Sequence, residues 1–293
     1  MILKRTMGEK IFGVIDALFL IILSLCCLYP MIYVLFASLS DSNLLMSHSG
    51  IIYKPIGFSL QAYSKVFSNK MIFTGYKNTL FILVFGLAIN MIFTTLGAYF
   101  LSRRDVYFRK IITFFIVLTM YFSGGLVPTY LTVRSVGLYN TLWAVIIPTA
   151  INTYNMIILR TGFYSIPPSL EEAATIDGAS TLTILIRILI PLIKPTLAVI
   201  ALYYAVGNWN SWFYASIYLQ DRIKYPLQLI LREILISNDT TTMTTSAGAA
   251  DVEEIGKTIK YATIIISTLP VLFCYPFLQR YFVNGVMIGA VKE

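Results

Sequence analysis

Three acidic residues, Glu171, Glu172 and Asp177, stand close together in the segment Ser165 to Pro195, SIPPSLEEAATIDGASTLTILIRILIPLIKP. The segment carries the start and stop signals of a short helix. Pro167 and Pro168 suit a helix entry, because proline brings a preset φ and lacks the N–H that a first turn leaves unpaired. Ser169, followed three residues later by Glu172, is a capping-box pattern in which each side chain satisfies a free backbone N–H. Gly178 is the natural stop, since glycine tolerates the left-handed conformation that closes a helix. Ser180 then caps a second helix running towards Pro191. On the first helix Leu170, Ala173 and Ala174 make a small apolar face, with Glu171 and Glu172 off it. Two readings fit such an acidic helix: a solvated connector, or a docking element gripped by a partner protein.

A second set of residues suits a neutral ligand. Tyr203, Tyr204, Asn208, Trp209, Asn210, Ser211, Trp212 and Tyr214 fall within twelve positions of one another. Aromatic rings lie well against the C–H faces of a sugar and amides bond its hydroxyls. Packing and an interfacial aromatic belt draw on the same residue types. Asn152 and Asn155, three apart, are expected to share a helix face, either lining a polar path or bonding between helices. Other chemistry has little support. The single histidine, His48, has no nearby Cys or His for a metal. Cys26, Cys27 and Cys274 all fall in apolar runs and read as small buried hydrophobes. Gly256-Lys257-Thr258 lacks the glycine five places before Gly256 that a phosphate-binding loop needs, because position 251 is Asp. No paired catalytic carboxylates or activated nucleophile stand out, so neither catalysis nor a bound cofactor or metal is expected of this chain.

The elements that must hold these residues are apolar helices. Of the 293 residues 57% are hydrophobic and 12% charged, about half the charged share of a soluble domain; the mean hydropathy is +0.76. Uncharged runs cover Ala17–Ser40, 78–102, Ile111–Val133, Ser135–Leu159, Pro195–Gln220 and Tyr261–Gln279. Each is near the 20 or so apolar residues that cross a bilayer as a helix. The expectation is an all-α polytopic membrane protein with six transmembrane helices; strands of a porin-type barrel alternate and are half as long. The first helix, about Ile11–Ser40, follows Lys4, Arg5 and Lys10 and is too long for a signal peptide. The loop from Arg103 to Lys110 holds four basic residues in eight positions, the clearest inside marker, and places both termini in the cytoplasm. Arg160 and the acidic segment fall on the same side. Span three contains Ser123-Gly124-Gly125 and Pro128, which mark either a broken helix or an exit from the membrane. The net charge of +8 flanks spans and suits topology and anionic lipid rather than nucleic acid.

Glu172-Ala173-Ala174, then Asp177-Gly178-Ala179, then Ile188 and Pro191, resembles the EAA loop of ABC importer membrane subunits. From Asn78 to Gln279 the chain is similar to the carbohydrate-uptake branch, the family of the maltose permease. The tail from Arg280 to Val286, ending Gly289-Ala290-Val291-Lys292, fits that branch; Leu185 departs from it, where a phenylalanine is common. The resemblance implies a type I ABC importer permease in a bacterial cell membrane, paired in a heterodimer with a second permease subunit. It also implies two cytoplasmic ATPase subunits, which carry the ATP and Mg, and an external solute-binding protein facing the outer loop 220–258. Glu171, Glu172, Ala173, Ala174, Asp177 and Gly178 would then form the coupling helix, and Asn152, Asn155, Tyr203, Tyr204, Asn208, Trp209, Asn210 and Trp212 would lie along the substrate path. The expected divisions are 1–73 (tail, first span and outer segment), a permease core 74–280 enclosing the loop 165–195, and a cytoplasmic tail 281–293. Two alternatives stay open: an ABC permease for another solute, such as a peptide or amino acid, and an ion-coupled secondary transporter. The second has no mid-membrane ionisable group to use.

Overall fold

A computed structural model describes residues 6–236, 258–273 and 276. The outer-loop residues 237–257, Cys274 and the tail with its expected family features lie outside the described residues. The described chain is helical, with one isolated antiparallel bridge, Ser40 to Phe58, and it separates into two compact units.

The first unit takes in residues 6–69, 233–236 and 258–269. Helix α1, Met7–Ser38, runs unbroken through Pro30 and starts with a capping box between Thr6 and Glu9. It begins four residues earlier than charge alone suggested. Nearly all of its apolar side chains are exposed, as in a helix whose solvent is lipid. The segment after it contains α2, Ser42–Ser47, and α3, Gln61–Ser68, tied to the end of α1 by a hydrogen bond between the Ser38 and Tyr63 hydroxyls.

The second unit takes in residues 70–232, 270–273 and 276, and its pillar is α4, Lys70–Ser102. Buried positions recur along it at Asn78, Ile82, Gly86, Asn90, Thr94, Ala98 and Leu101, the three-and-four spacing of one helix face. Gly86 and Gly97 let neighbours approach. A Cβ would stand 2.8 Å from the Asn208 amide at Gly86 and 2.7 Å from the Met156 sulfur at Gly97. Small residues are how membrane helices gain contact in the absence of a hydrophobic drive between them.

Around α4 the helices are broken. Helix α5, Arg109–Tyr121, and α6, Leu126–Ser135, meet at 111° about Gly125, whose φ is +85°, so the glycine pair makes a sharp bend. The fourth apolar run is not one helix. It splits into α7, Trp143–Ile146, a 3-10 turn Ile147–Thr149, and α8, Thr153–Tyr164; the break falls at Pro148, which brings no N–H to the helical ladder. Next come α9, Pro168–Ile176, and a helix over Thr181–Leu192, made of α10, Thr181–Thr183, a π-helical stretch Ile184–Leu189, and α11, Ile190–Leu192. It turns by 87° into α12, Lys194–Trp209, which stops before α13, Trp212–Tyr218. Helix α14, Leu227–Ile236, follows, and α15 covers Thr258–Phe273.

Among the described residues α1 and α4 are each long and apolar enough to cross a membrane, and the two bent pairs raise that number to four. The apolar α15 is shorter.

Candidate functional site

The short helix α9 projects from the end of α4 that bears the basic loop. Its start differs from the expected capping box: Pro167 is the N-cap, Pro168 the first helical residue, and no side chain caps the end. Ser169 therefore lies inside the helix. The missing N–H of Pro168 removes one of the donors a cap would serve. The other end is as expected. Gly178 has φ +79°. The Ala179 N–H reaches the Ala174 carbonyl at 3.0 Å and the Gly178 N–H the Thr175 carbonyl at 3.0 Å, which is the Schellman closure. Ser180 then caps the following helix by accepting from the Thr183 N–H.

The face that α9 buries is narrower than the apolar set read from the sequence. Ala174 is buried in a core with Ala98, Leu101, Leu159, Phe163 and Leu189, whereas Leu170 and Ala173 are exposed. Ser169, Glu172, Ala173 and Ile176 make the outward stripe, with Ile176 86% exposed. A carboxylate beside an uncovered isoleucine and alanine is a surface suited to a cleft with a cation and an apolar floor. Asp177 and Gly178 are exposed at its end.

Glu171 does not belong to that stripe. Its Oε1 accepts from Arg103 Nη1 at 2.5 Å and from the Tyr99 hydroxyl at 2.9 Å. Arg103 Nη1 also donates to Tyr99 Oη at 2.8 Å. Its Nε and Nη2 grip both oxygens of Asp105 at 2.9 and 3.0 Å. The bidentate contact with Asp105 raises the Arg103 pKa above its already high value and holds the Asp105 carboxyl below the usual carboxylate range. An ion pair this open to water contributes about 1 kcal/mol or less by itself; its consequence is geometric. A cavity of about 590 Å³ lies beside it, lined by Arg104, Asp105, Tyr164, Pro168, Glu172 and Thr175 among others. Sequence reasoning used Arg103 only as a marker of sidedness and passed over Tyr99.

The residues expected along a substrate path divide between packing and exposure. Tyr204 is buried, bonded to Thr94 Oγ1 at 2.6 Å and accepting from the Asn152 N–H at 2.9 Å. Asn152 and Asn155 do not share a helix face as expected. Asn152 is the N-cap of α8, and its Oδ1 accepts from the Asn155 N–H at 3.1 Å. Asn208 donates to Asn90 Oδ1 at 3.0 Å, and Asn90 donates to the Thr149 and Ala150 carbonyls at 2.8 and 3.0 Å. Trp209 is buried edge-on to Tyr76, and Trp212 lies under the Arg232 guanidinium at 4.4 Å. Towards the end of α12 the exposed residues are Tyr203, Val206 and Gly207, followed by the C-cap residue Asn210. Asn90 and Thr94 were missed; the signal was the recurrence of small and polar residues on one face of α4.

Residues 79–288 match the family model described as "Binding-protein-dependent transport system inner membrane component". The polygalacturonan/rhamnogalacturonan transport system permease protein YtcP of Bacillus subtilis (strain 168) is 41% identical over 98% of this chain and 100% of its own length. The melibiose/raffinose/stachyose import permease protein MelC of the same organism is 30% identical over 81% of this chain and 83% of its own. A chain in the crystal structure of a bacterial ABC transporter involved in the import of the acidic polysaccharide alginate superposes with a TM-score of 0.87. It is 34% identical and covers 95% of this chain and 99% of its own.

Proposed function

The chain belongs to the family of binding-protein-dependent transport system inner membrane components, and we propose that it is one permease subunit of an ATP-driven importer of sugars or oligosaccharides. The carbohydrate cargo is supported by the substrates named for its relatives. In this reading it pairs with a second permease subunit, two cytoplasmic ATPases that bind ATP and Mg, and an external binding protein. It spans a bacterial cytoplasmic membrane six times with both termini inside. Residues 1–73 form the tail, first span and outer segment, 74–280 the permease core, and 281–293 a cytoplasmic tail.

One observation carries the coupling role. Helix α9 is closed by a left-handed glycine, anchored at Ala174, and turns Glu172, Ala173 and Ile176 outward beside the basic loop. ATP binding draws the ATPases together, and the helix seated in each ATPase moves with it. ATP shifts the populations of inward- and outward-open states only if it binds them with different affinity, and rigid seating of α9 supplies that difference. In this reading the exposed Tyr203 of α12 and Asn210, which caps its end, contact cargo, and Asn208, Trp209, Tyr204, Asn152 and Asn155 support the walls of the path.

The test is Glu172→Lys in the purified complex. Release of the ATPase and loss of transport-linked ATP hydrolysis, with the permease subunits still paired, is the expected result. An ATPase that stays bound and coupled would remove α9 as the docking element.

A further inference from the structure

We propose that Arg103 and Tyr99 are positioning residues of the coupling step, forming with Glu171 a tie that carries the motion of α9 into α4. The inference rests on the reading of α9 as the ATPase-docking helix. The outward stripe of α9 is exposed, with Glu172 and Ile176 also bordering the cavity, and the buried side of the helix is a single small residue, Ala174. One apolar anchor leaves a nine-residue helix free to pivot. The cavity of about 590 Å³ separates the first turns of α9 from the end of α4, so apolar packing does not prevent that pivot. The tie bridges the gap: Arg103 and Tyr99 stand one turn apart at the end of α4, and both bond the same Glu171 oxygen.

The guanidinium is itself fixed. Two of its nitrogens are held by Asp105, and Arg109 Nη1 donates to the Arg103 carbonyl at 3.1 Å, so the loop that follows α4 braces the residue that reaches α9. A planar fork with donors on two sides does this; the point charge of a lysine does not. Glu171 and Glu172, adjacent in sequence, thus divide the work. In this reading the exposed Glu172 is left for the partner, and Glu171 is held in the tie.

The experiment uses the assembled transporter in nanodiscs with Arg103→Gln, Arg103→Lys, Glu171→Gln and the double variant Arg103→Gln/Glu171→Gln. Cargo translocated per ATP hydrolysed should fall about tenfold or more in Arg103→Gln while the ATPase still copurifies. Arg103→Lys should do no better, and the double variant should be no worse than Arg103→Gln, since residues acting as one unit are non-additive. Recovery by Arg103→Lys, additive losses, or an unchanged ratio would overturn the tie. A second readout needs no ATPase. Spin labels at Leu96 and Ser169, in the full chain with Cys26, Cys27 and Cys274 replaced, should show a broadened distance distribution in Arg103→Gln. An unchanged distribution refutes the tie. Failure of any ATPase to copurify with the unsubstituted chain instead refutes the docking reading on which it rests.

Discussion

Replacing Asn90 with alanine tests whether the amides of the second unit are wall or path. Asn90 is fully buried, and its side chain makes three bonds: to the Thr149 carbonyl at 2.8 Å, to the Ala150 carbonyl at 3.0 Å, and from Asn208 Nδ2 at 3.0 Å. Bonds of this kind between membrane helices average about 0.6 kcal/mol and reach about 1.7 kcal/mol. Three of them set an expected loss of about 2 kcal/mol, and more if the two carbonyls find no water. Asn208→Ala removes one of the three and should cost about 0.6–1 kcal/mol by the same scale. The two changes should be less than additive by about the energy of the shared bond. Asn210→Ala is the control: its amide reaches the Val206 carbonyl of its own helix and is exposed, so a change within about 0.5 kcal/mol is expected. The assay is unfolding in mixed micelles titrated with SDS. It can be followed by tryptophan fluorescence, because Trp209 adjoins Asn208 in sequence. An Asn90→Ala variant as stable as the parent, or strict additivity with Asn208→Ala, would refute the reasoning. A raised KM for cargo with unchanged stability would return both asparagines to the substrate path.

Three further outcomes follow from particular contacts. Gly75→Ala should destabilise by about 1–3 kcal/mol, because its Cβ would lie 3.1–3.2 Å from the Leu227 backbone, which cannot swing aside, and 2.7 Å from Ile230 Cδ1; the same SDS titration reads it. Gly178→Ala should cost about 1–2 kcal/mol through its left-handed φ alone, since a Cβ there meets nothing within 4 Å. Gly178→Val should be worse and Gly178→Asn close to the parent; equal damage from Asn and Val in ATPase copurification would show that backbone conformation is not the cause. Asp221 is held below the usual carboxylate range by Lys224, at 2.7 Å, and by Asn140, at 2.9 Å. Its contribution is thus fully present above the ordinary Asp value of about 3.9 and lost as pH falls through the lower folded value. Asp221→Asn should flatten that acid limb of thermal stability, and an unaltered limb would show the tie to be idle.

The helix in the acidic segment was legible because its signals are local: prolines before it and a glycine after it act through φ alone. The Ser169–Glu172 pattern misled for the same reason. Proline at 168 and serine at 169 compete for the entry, and the preset φ of proline wins. The aromatic-amide set from Tyr203 to Trp212 stands out in the sequence by residue type, yet those types do not say which neighbours they meet. Tyr204 and Asn208 are committed to α4 at Thr94 and Asn90, partners 110 and 118 positions away in sequence, and no spacing rule within one element reports such pairs. Arg103 shows the limit most plainly. Its charge placed the loop, whereas its partner Glu171 lies 68 positions further on and read as part of a docking surface.

The breaks in the helices and the polar residues of α4 answer one another. A helix that ends inside a bilayer leaves backbone groups unpaired, at a cost of several kcal/mol each unless protein or water takes them. After the 3-10 turn that follows α7, the freed carbonyls are those of Thr149 and Ala150, and Asn90 donates to both. At the start of α8 the freed N–H is that of Asn152, and the Tyr204 hydroxyl accepts it while bonded to Thr94. Where α14 begins, the Leu227 N–H finds Thr79 Oγ1 at 2.9 Å. Each of these three backbone gaps is thus compensated from the buried face of α4, either directly or through one intermediary. The polar positions that look out of place in so apolar a helix are what allow its neighbours to bend, and bent neighbours can enclose a path that straight ones would close by packing. Substituting leucines along that face would raise the hydropathy of α4 and make it a better isolated span. The same change would leave the breaks around residues 150 and 227 without partners, so a more apolar α4 should give a less stable permease.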